Sequence, residues 1–99
     1  MRFEWDSNKN KTNLTKHGIA FEYAQRIWDD PDCLVMLDIG SQDEERWLAI
    51  GNIGYMTIVV AVHTYRGDED DPVIRIISAR KATKNERVNY EKSKFGPGV

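Results

Sequence analysis

The sequence predicts an α+β domain: one mainly antiparallel sheet, two helices before it and one after. Three observations carry this. Strand-like apolar segments are concentrated in the middle of the chain. Helix caps and stops bracket the segments before and after them. No repeat or linker interrupts the 99 residues, so a single domain over 1–99 is expected, with 93–99 as a flexible tail.

Each element has its own local reason. Phe3 and Trp5 alternate with charged residues, which predicts a short first strand. Asp6 has the chemistry of an N-cap and Gly18 that of a C-terminal stop, framing a very polar helix. Leu14 is its only apolar residue, and three/four spacing places Asn10, Asn13, Leu14 and His17 on one face. A second helix is expected from Phe21 to Asp29, with Phe21, Ala24, Ile27 and Trp28 on the core side and Pro31 ending it. Strands follow at Cys33–Leu37, Arg46–Gly51 and Met56–Tyr65, the last two joined by the turn Asn52-Ile53-Gly54. A long acidic turn, Gly67 through Pro72, leads into a last strand, Val73–Lys81. Thr83-Lys84-Asn85-Glu86 has capping-box spacing and opens the final helix. Segregated helices are expected to cover one sheet face and leave the other open.

Composition narrows the function classes. Forty percent of residues are hydrophobic, enough for one core. No stretch approaches a membrane span, and the N-terminus lacks signal-peptide features, so a cytoplasmic location is expected. Cys33 is the lone cysteine, which excludes an intramolecular disulfide and argues against a thiol-rich metal site. The net charge of −2 hides segregation: +2 over residues 1–28, −9 over 29–71 and +5 over 72–99. That pattern argues against broad nucleic-acid coating but permits a local cationic site.

The principal cluster is Arg66, Arg75, Arg80 and Lys81. Guanidinium groups match phosphate geometry with paired hydrogen bonds. Strand alternation places Arg75, Ile77, Ala79 and Lys81 on one face, and Ile76, Ser78 and Arg80 on the other. The four cations therefore share a pocket only if a bulge or strand end intervenes. The competing reading pairs these arginines with Glu44, Glu45 and the acidic turn. His17 lies in the last helical turn, where carbonyl ends favour imidazolium. It is either an acid or phosphate contact or a plain dipole partner. His63, in the most apolar strand, reads as a packed sheet residue. No His/Cys spacing fits a metal, and no metal or other cofactor is expected. Arg87 and Tyr90, three apart on the last helix, either line the open face or pack that helix down.

The segments Phe3-Glu4-Trp5-Asp6, Lys16-His17-Gly18-Ile19, Thr64-Tyr65-Arg66-Gly67 and Ile74-Arg75-Ile76-Ile77-Ser78-Ala79-Arg80-Lys81-Ala82 together resemble the BrnT family of bacterial toxins. The resemblance spans about residues 2–92. It implies a RelE-like fold and a metal-independent endoribonuclease that blocks translation. It also implies neutralisation by a BrnA-like ribbon-helix-helix antitoxin. Operator DNA is then reached only through that antitoxin, in a hetero-oligomer with a toxin dimer possible and no membrane association. Two departures stand out. Ala20 replaces the family's usual Ser or Thr cap, which costs about 1 kcal/mol, and the acidic turn is longer than usual.

For RNA cleavage, Arg66, Arg75 and Arg80 are the expected charge stabilisers, Lys16 or Glu45 the proton acceptor and His17 the donor. Lys81, Lys84, Arg87 and Tyr90 are the expected RNA contacts. The alternative function is a non-catalytic module that grips an acidic antitoxin segment and co-represses its operon.

Overall fold

The computed structural model describes residues 1–40 and 44–95. In chain order the elements are β1 (Arg2–Glu4), α1 (Ser7–His17), α2 (Phe21–Ala24), a 3-10 segment (Gln25–Asp29), β2 (Leu34–Asp38), β3 (Arg46–Asn52), β4 (Ile58–Asp68), β5 (Asp71–Lys81) and α3 (Lys84–Phe95). The five strands form one sheet in the order β1-β5-β4-β3-β2. β2 to β5 run as an antiparallel meander, and β1 adds parallel to β5 at its outer edge.

The helix ends follow the caps the sequence supplies. The Asp6 carboxylate accepts from the Asn8 and Lys9 amides, and Gly18 closes α1 in the left-handed region at φ 73°. Ala20 offers no side-chain cap, and its helix continues as α2 for only four residues before tightening into the 3-10 segment. The predicted core side of this helix is correct: Phe21, Ala24 and Ile27 are fully buried. They pack with Ile19, Ala49, Val59, Ala61, Ile74, Ile76 and Ala79 into the main core, between the sheet and the N-terminal helices.

The predicted helical face of α1 needs correction. Leu14 is exposed and Asn13 is the buried residue. Beyond β1, the flank of β5 has no strand neighbour, and Asn13 stands in for one. Its amide donates to the Ala79 and Ile19 carbonyls, both at 2.8 Å, and accepts from the Ala79 N–H at 3.0 Å. A buried polar residue here satisfies backbone groups that an apolar one would leave unpaired.

The helices do not share one sheet face. α3 lies on the face opposite α1 and α2, where Tyr90 packs with Ile50 and Val60 above Leu34, Met36 and Leu48. The reason lies in β2–β4, which carry apolar residues on both faces at this end and need cover on both. Tyr90 is thus buried, not lining an open face, and its hydroxyl donates to Asp30 at 2.5 Å. α3 runs through Phe95, so residues 93–95 are helical rather than tail. The expectation for 96–99 lies outside the described residues.

Both hairpin turns also differ from the sequence reading. β4 and β5 stay paired to Asp68↔Asp71, leaving a two-residue turn at Glu69-Asp70 in place of a long loop. Gly67, at φ 81°, allows it: a Cβ there would meet the Asp71 carbonyl oxygen at 2.5 Å. The β3–β4 connection is longer than predicted. Ile53 N–H bonds the Thr57 carbonyl across a tip where Tyr55 and Met56 both take positive φ.

Candidate functional site

The decisive local feature is a β-bulge. Along β4 and β5 the register runs Val62↔Ser78 and then His63↔Ile76, so Ile77 has no partner. One extra residue reverses the alternation on either side. Ile74, Ile76, Ala79 and Lys81 then face the N-terminal helices, while Arg75, Ser78 and Arg80 face the other way. The plain period of two separates Arg75 from Arg80, and the bulge reunites them. Arg66 lies on that face too, two positions from Thr64, which pairs with Arg75. Lys81 does not join them; it is exposed on the opposite side at the strand's end.

The three arginines differ in freedom. Arg80 is held by Glu86 of α3 through two charge-assisted bonds of 2.7 and 2.9 Å. The same carboxylate accepts from the Thr83 N–H, and the Thr83 hydroxyl accepts from the Glu86 N–H. The predicted capping box is therefore present and welded to Arg80. The bonds from Arg80 pull Glu86 down to a pKa of about 2, with the Thr83 N–H contributing, and raise that of Arg80. Arg75 pairs with Glu4 at 3.0 Å and is partly buried. Arg66 is exposed and only loosely paired, 3.9 Å from Glu44. The ion-paired alternative thus holds for all three: Arg66 has the expected partner Glu44, loosely, while Arg75 and Arg80 pair with Glu4 and Glu86 instead of Glu44, Glu45 or the acidic turn.

Lys16 and His17 lie beside this strand. With Asn8, Lys9, Thr12 and Asn13 they form one wall of a groove of about 320 Å³, whose other wall is Ile77 and Ser78 at the bulge. The groove exists because α1 is docked onto the flank of β5 by Asn13. Glu45 is exposed just before β3, across β4 and β5 from this groove. Lys84 and Arg87 are exposed on the first turns of α3. The sequence missed Arg46, which faces the same way as Arg75 and is half-buried on β3. Local spacing does not show this, because its face follows from the β3–β4 register.

Other titratable groups are structural. His63 is fully buried, edge-on to Trp28 at 4.9 Å and to Tyr65 at 5.1 Å. Burial lowers its pKa, more than the contact with the Ala61 carbonyl raises it. The predicted packing role for His63 is therefore correct. Burial pushes the Cys33 thiol up to about 11, with the Asp30 charge adding, so it is no ready nucleophile. Burial alone would raise the pKa of Asp30. Bonds from the Asn52 N–H, the Tyr90 hydroxyl and the Asp32 N–H hold it below the usual range. Among the described residues no three His, Cys, Asp or Glu side chains gather to hold a metal. No helix among them is long and apolar enough to cross a membrane.

Fold and site together define a small α+β protein with arginines on one sheet face and a Lys/His groove at the adjoining strand flank. The chain belongs to the BrnT family, whose model, described as the ribonuclease toxin BrnT of a type II toxin–antitoxin system, matches residues 5–86. Among solved structures it is similar to the 1.1 Å crystal structure of the Brucella abortus ribonuclease toxin BrnT. That likeness has 26% identity and a TM-score of 0.64, over 85% of this chain and 99% of that one. No curated protein matches the chain in sequence.

Proposed function

We propose that this protein is an active endoribonuclease toxin that inhibits translation without a metal ion. The observation that carries this reading is the bulge at Ile77, which puts Arg80 on the same sheet face as Arg75 and Arg66, while the Lys16/His17 groove opens at the flank of β5. The 2′-hydroxyl of one nucleotide attacks the adjacent phosphorus. The new 2′-O–P bond forms as the P–O5′ bond breaks, leaving a cyclic phosphate and a 5′-hydroxyl. Charge accumulates on the non-bridging oxygens, where guanidinium donors are most effective. His17 donates a proton to the leaving oxygen. The acceptor is Lys16 or Glu45, and Lys16 shares the groove with His17. Lys84 and Arg87, exposed on α3, guide the flanking RNA.

An antitoxin partner follows from membership in a type II toxin–antitoxin family; a BrnA-like ribbon-helix-helix protein is the proposed identity. Incubation of the purified chain with labelled RNA, with and without EDTA, tests the enzyme. Cleavage that survives EDTA supports it, and metal-dependent cleavage removes the proposed mechanism.

One observation favours a second reading. Arg75 and Arg80 are already neutralised by Glu4 and Glu86. A module that only grips an acidic antitoxin segment and co-represses its operon needs no free guanidinium for catalysis. Absence of cleavage at every protein concentration, with tight antitoxin binding retained, would select it.

A further inference from the structure

The charged face holds two buried polar atoms that no partner among the described residues satisfies, on neighbouring strands. Thr64 is 4% exposed, and its hydroxyl oxygen has no hydrogen-bond partner. The Nε of Arg46 is likewise buried and unpaired. Trp47 pairs with His63, so the next position outward sets Arg46 opposite Thr64 across β3 and β4. Thr64 in turn pairs with Arg75, and Arg75 with Glu4. Arg66, two positions along β4, lies on the same face. Thr64 is therefore surrounded by three guanidinium-bearing positions.

Two of the carboxylates near this cluster are already ion-paired. Glu4 pairs with Arg75 at 3.0 Å, and Glu44 lies 3.9 Å from Arg66. Asp38 is opposite Arg46 in register, but its Oδ1 accepts from the Gly40 N–H at 3.1 Å. Among the described residues Arg46 has no ion-pair partner. Folded proteins rarely leave buried donors unsatisfied, and those without a protein partner take an ordered water or a ligand, or mark strain. A guanidinium without a carboxylate, beside a hydroxyl without a partner, has the donor set that a phosphate group completes.

We infer that Arg46 and Thr64 form an anion subsite for an RNA phosphate neighbouring the one cleaved. The inference rests on the ribonuclease reading and extends it to residues on β3 and β4, away from the Lys16/His17 groove. Binding draws the Arg46 fork onto the phosphate oxygens and gives the Thr64 hydroxyl an acceptor. The subsite contributes to RNA affinity and register rather than to proton transfer.

The test is binding of a 2′-O-methyl RNA oligonucleotide, which cannot be cleaved, by the full chain across a series of salt concentrations. Arg46→Gln is expected to weaken binding about tenfold at low salt. It should also flatten the plot of log affinity against log salt by about 0.7, the loss of one single-strand phosphate contact. Thr64→Val is expected to weaken binding about threefold with an unchanged slope, and to leave Tm equal or higher, since it removes an unpaired buried hydroxyl. If the glutamine variant does not fold, the valine variant decides. Folded variants that bind like the wild type, with the same slope, overturn the subsite. A wild-type chain that binds no RNA overturns the ribonuclease reading itself, and the subsite falls with it.

Discussion

Glu86 is the residue on which local stability and the proposed site meet. Its pKa is drawn down to about 2 by the bonds from Arg80, from an unperturbed 4.5. A depressed carboxylate stabilises the fold fully above its unfolded pKa and loses that contribution as pH falls through the folded value. Glu86→Gln should therefore lower stability by about 1 kcal/mol at neutral pH. The deficit should close between pH 5 and 2, as denaturant melts at each pH will show. His63 has the opposite charge type. Buried and held neutral, it resists the proton that the unfolded chain takes up below pH 6.5. The wild type should lose stability from pH 7 to 5, and His63→Phe should lack that slope. A variant with the wild-type slope would show that another group is responsible.

At the scale of elements, two contacts fix how helices meet the sheet. Asn13 bonds both backbone groups of Ala79 and the carbonyl of Ile19. Asn13→Ala should cost about 3 kcal/mol, because it strands buried donors and acceptors rather than only deleting bonds. Loss of the Lys16/His17 groove should accompany it, visible as changed amide shifts around Ile77 and Ser78. Under the 3-10 segment, Gly51 is buried, and a Cβ there would meet the Ile27 Cγ2 at 3.0 Å and its carbonyl oxygen at 3.2 Å. Gly51→Ala should destabilise by about 1–3 kcal/mol through overpacking, measurable as a shifted denaturant midpoint. Gly67 tightens the β4–β5 hairpin in the same way, and its positive φ makes alanine strained whatever space is available.

At the scale of the whole molecule, charge segregation acquires a geometry. The basic C-terminal third supplies β5 and α3, and β5 lies between β1 and β4 in the sheet. The acidic stretch supplies β2, β3 and β4, the last of them paired directly with β5. Arg80→Ala should leave the fold intact, at a cost of about 1 kcal/mol from the lost pair with Glu86. Growth arrest on induction should be lost. Undiminished arrest by that variant would remove Arg80 from the site and leave it as the anchor of α3.

Much of this was legible residue by residue. Asp6, Gly18, Thr83 and Glu86 act locally, through bonds spanning a few residues, so their roles can be read from spacing alone. The core side of Phe21–Asp29 follows from periodicity for the same reason. The family was legible too, because its motifs lie in β1, α1, β4 and β5 and keep their order along the chain. Tertiary structure decided the rest. The unpaired Ile77 depends on how β4 and β5 align, which local spacing does not encode, and it alone puts Arg75 and Arg80 on one face. Glu4, far away in sequence, neutralises Arg75 because β1 pairs parallel to β5. α3 chose the face opposite the other helices because Ile50 and Val60 needed cover there. The sequence by itself determined which elements form and which residues carry charge. Only long-range pairing decided which of those charges stand together, because a single register shift moves a side chain from one face of a sheet to the other.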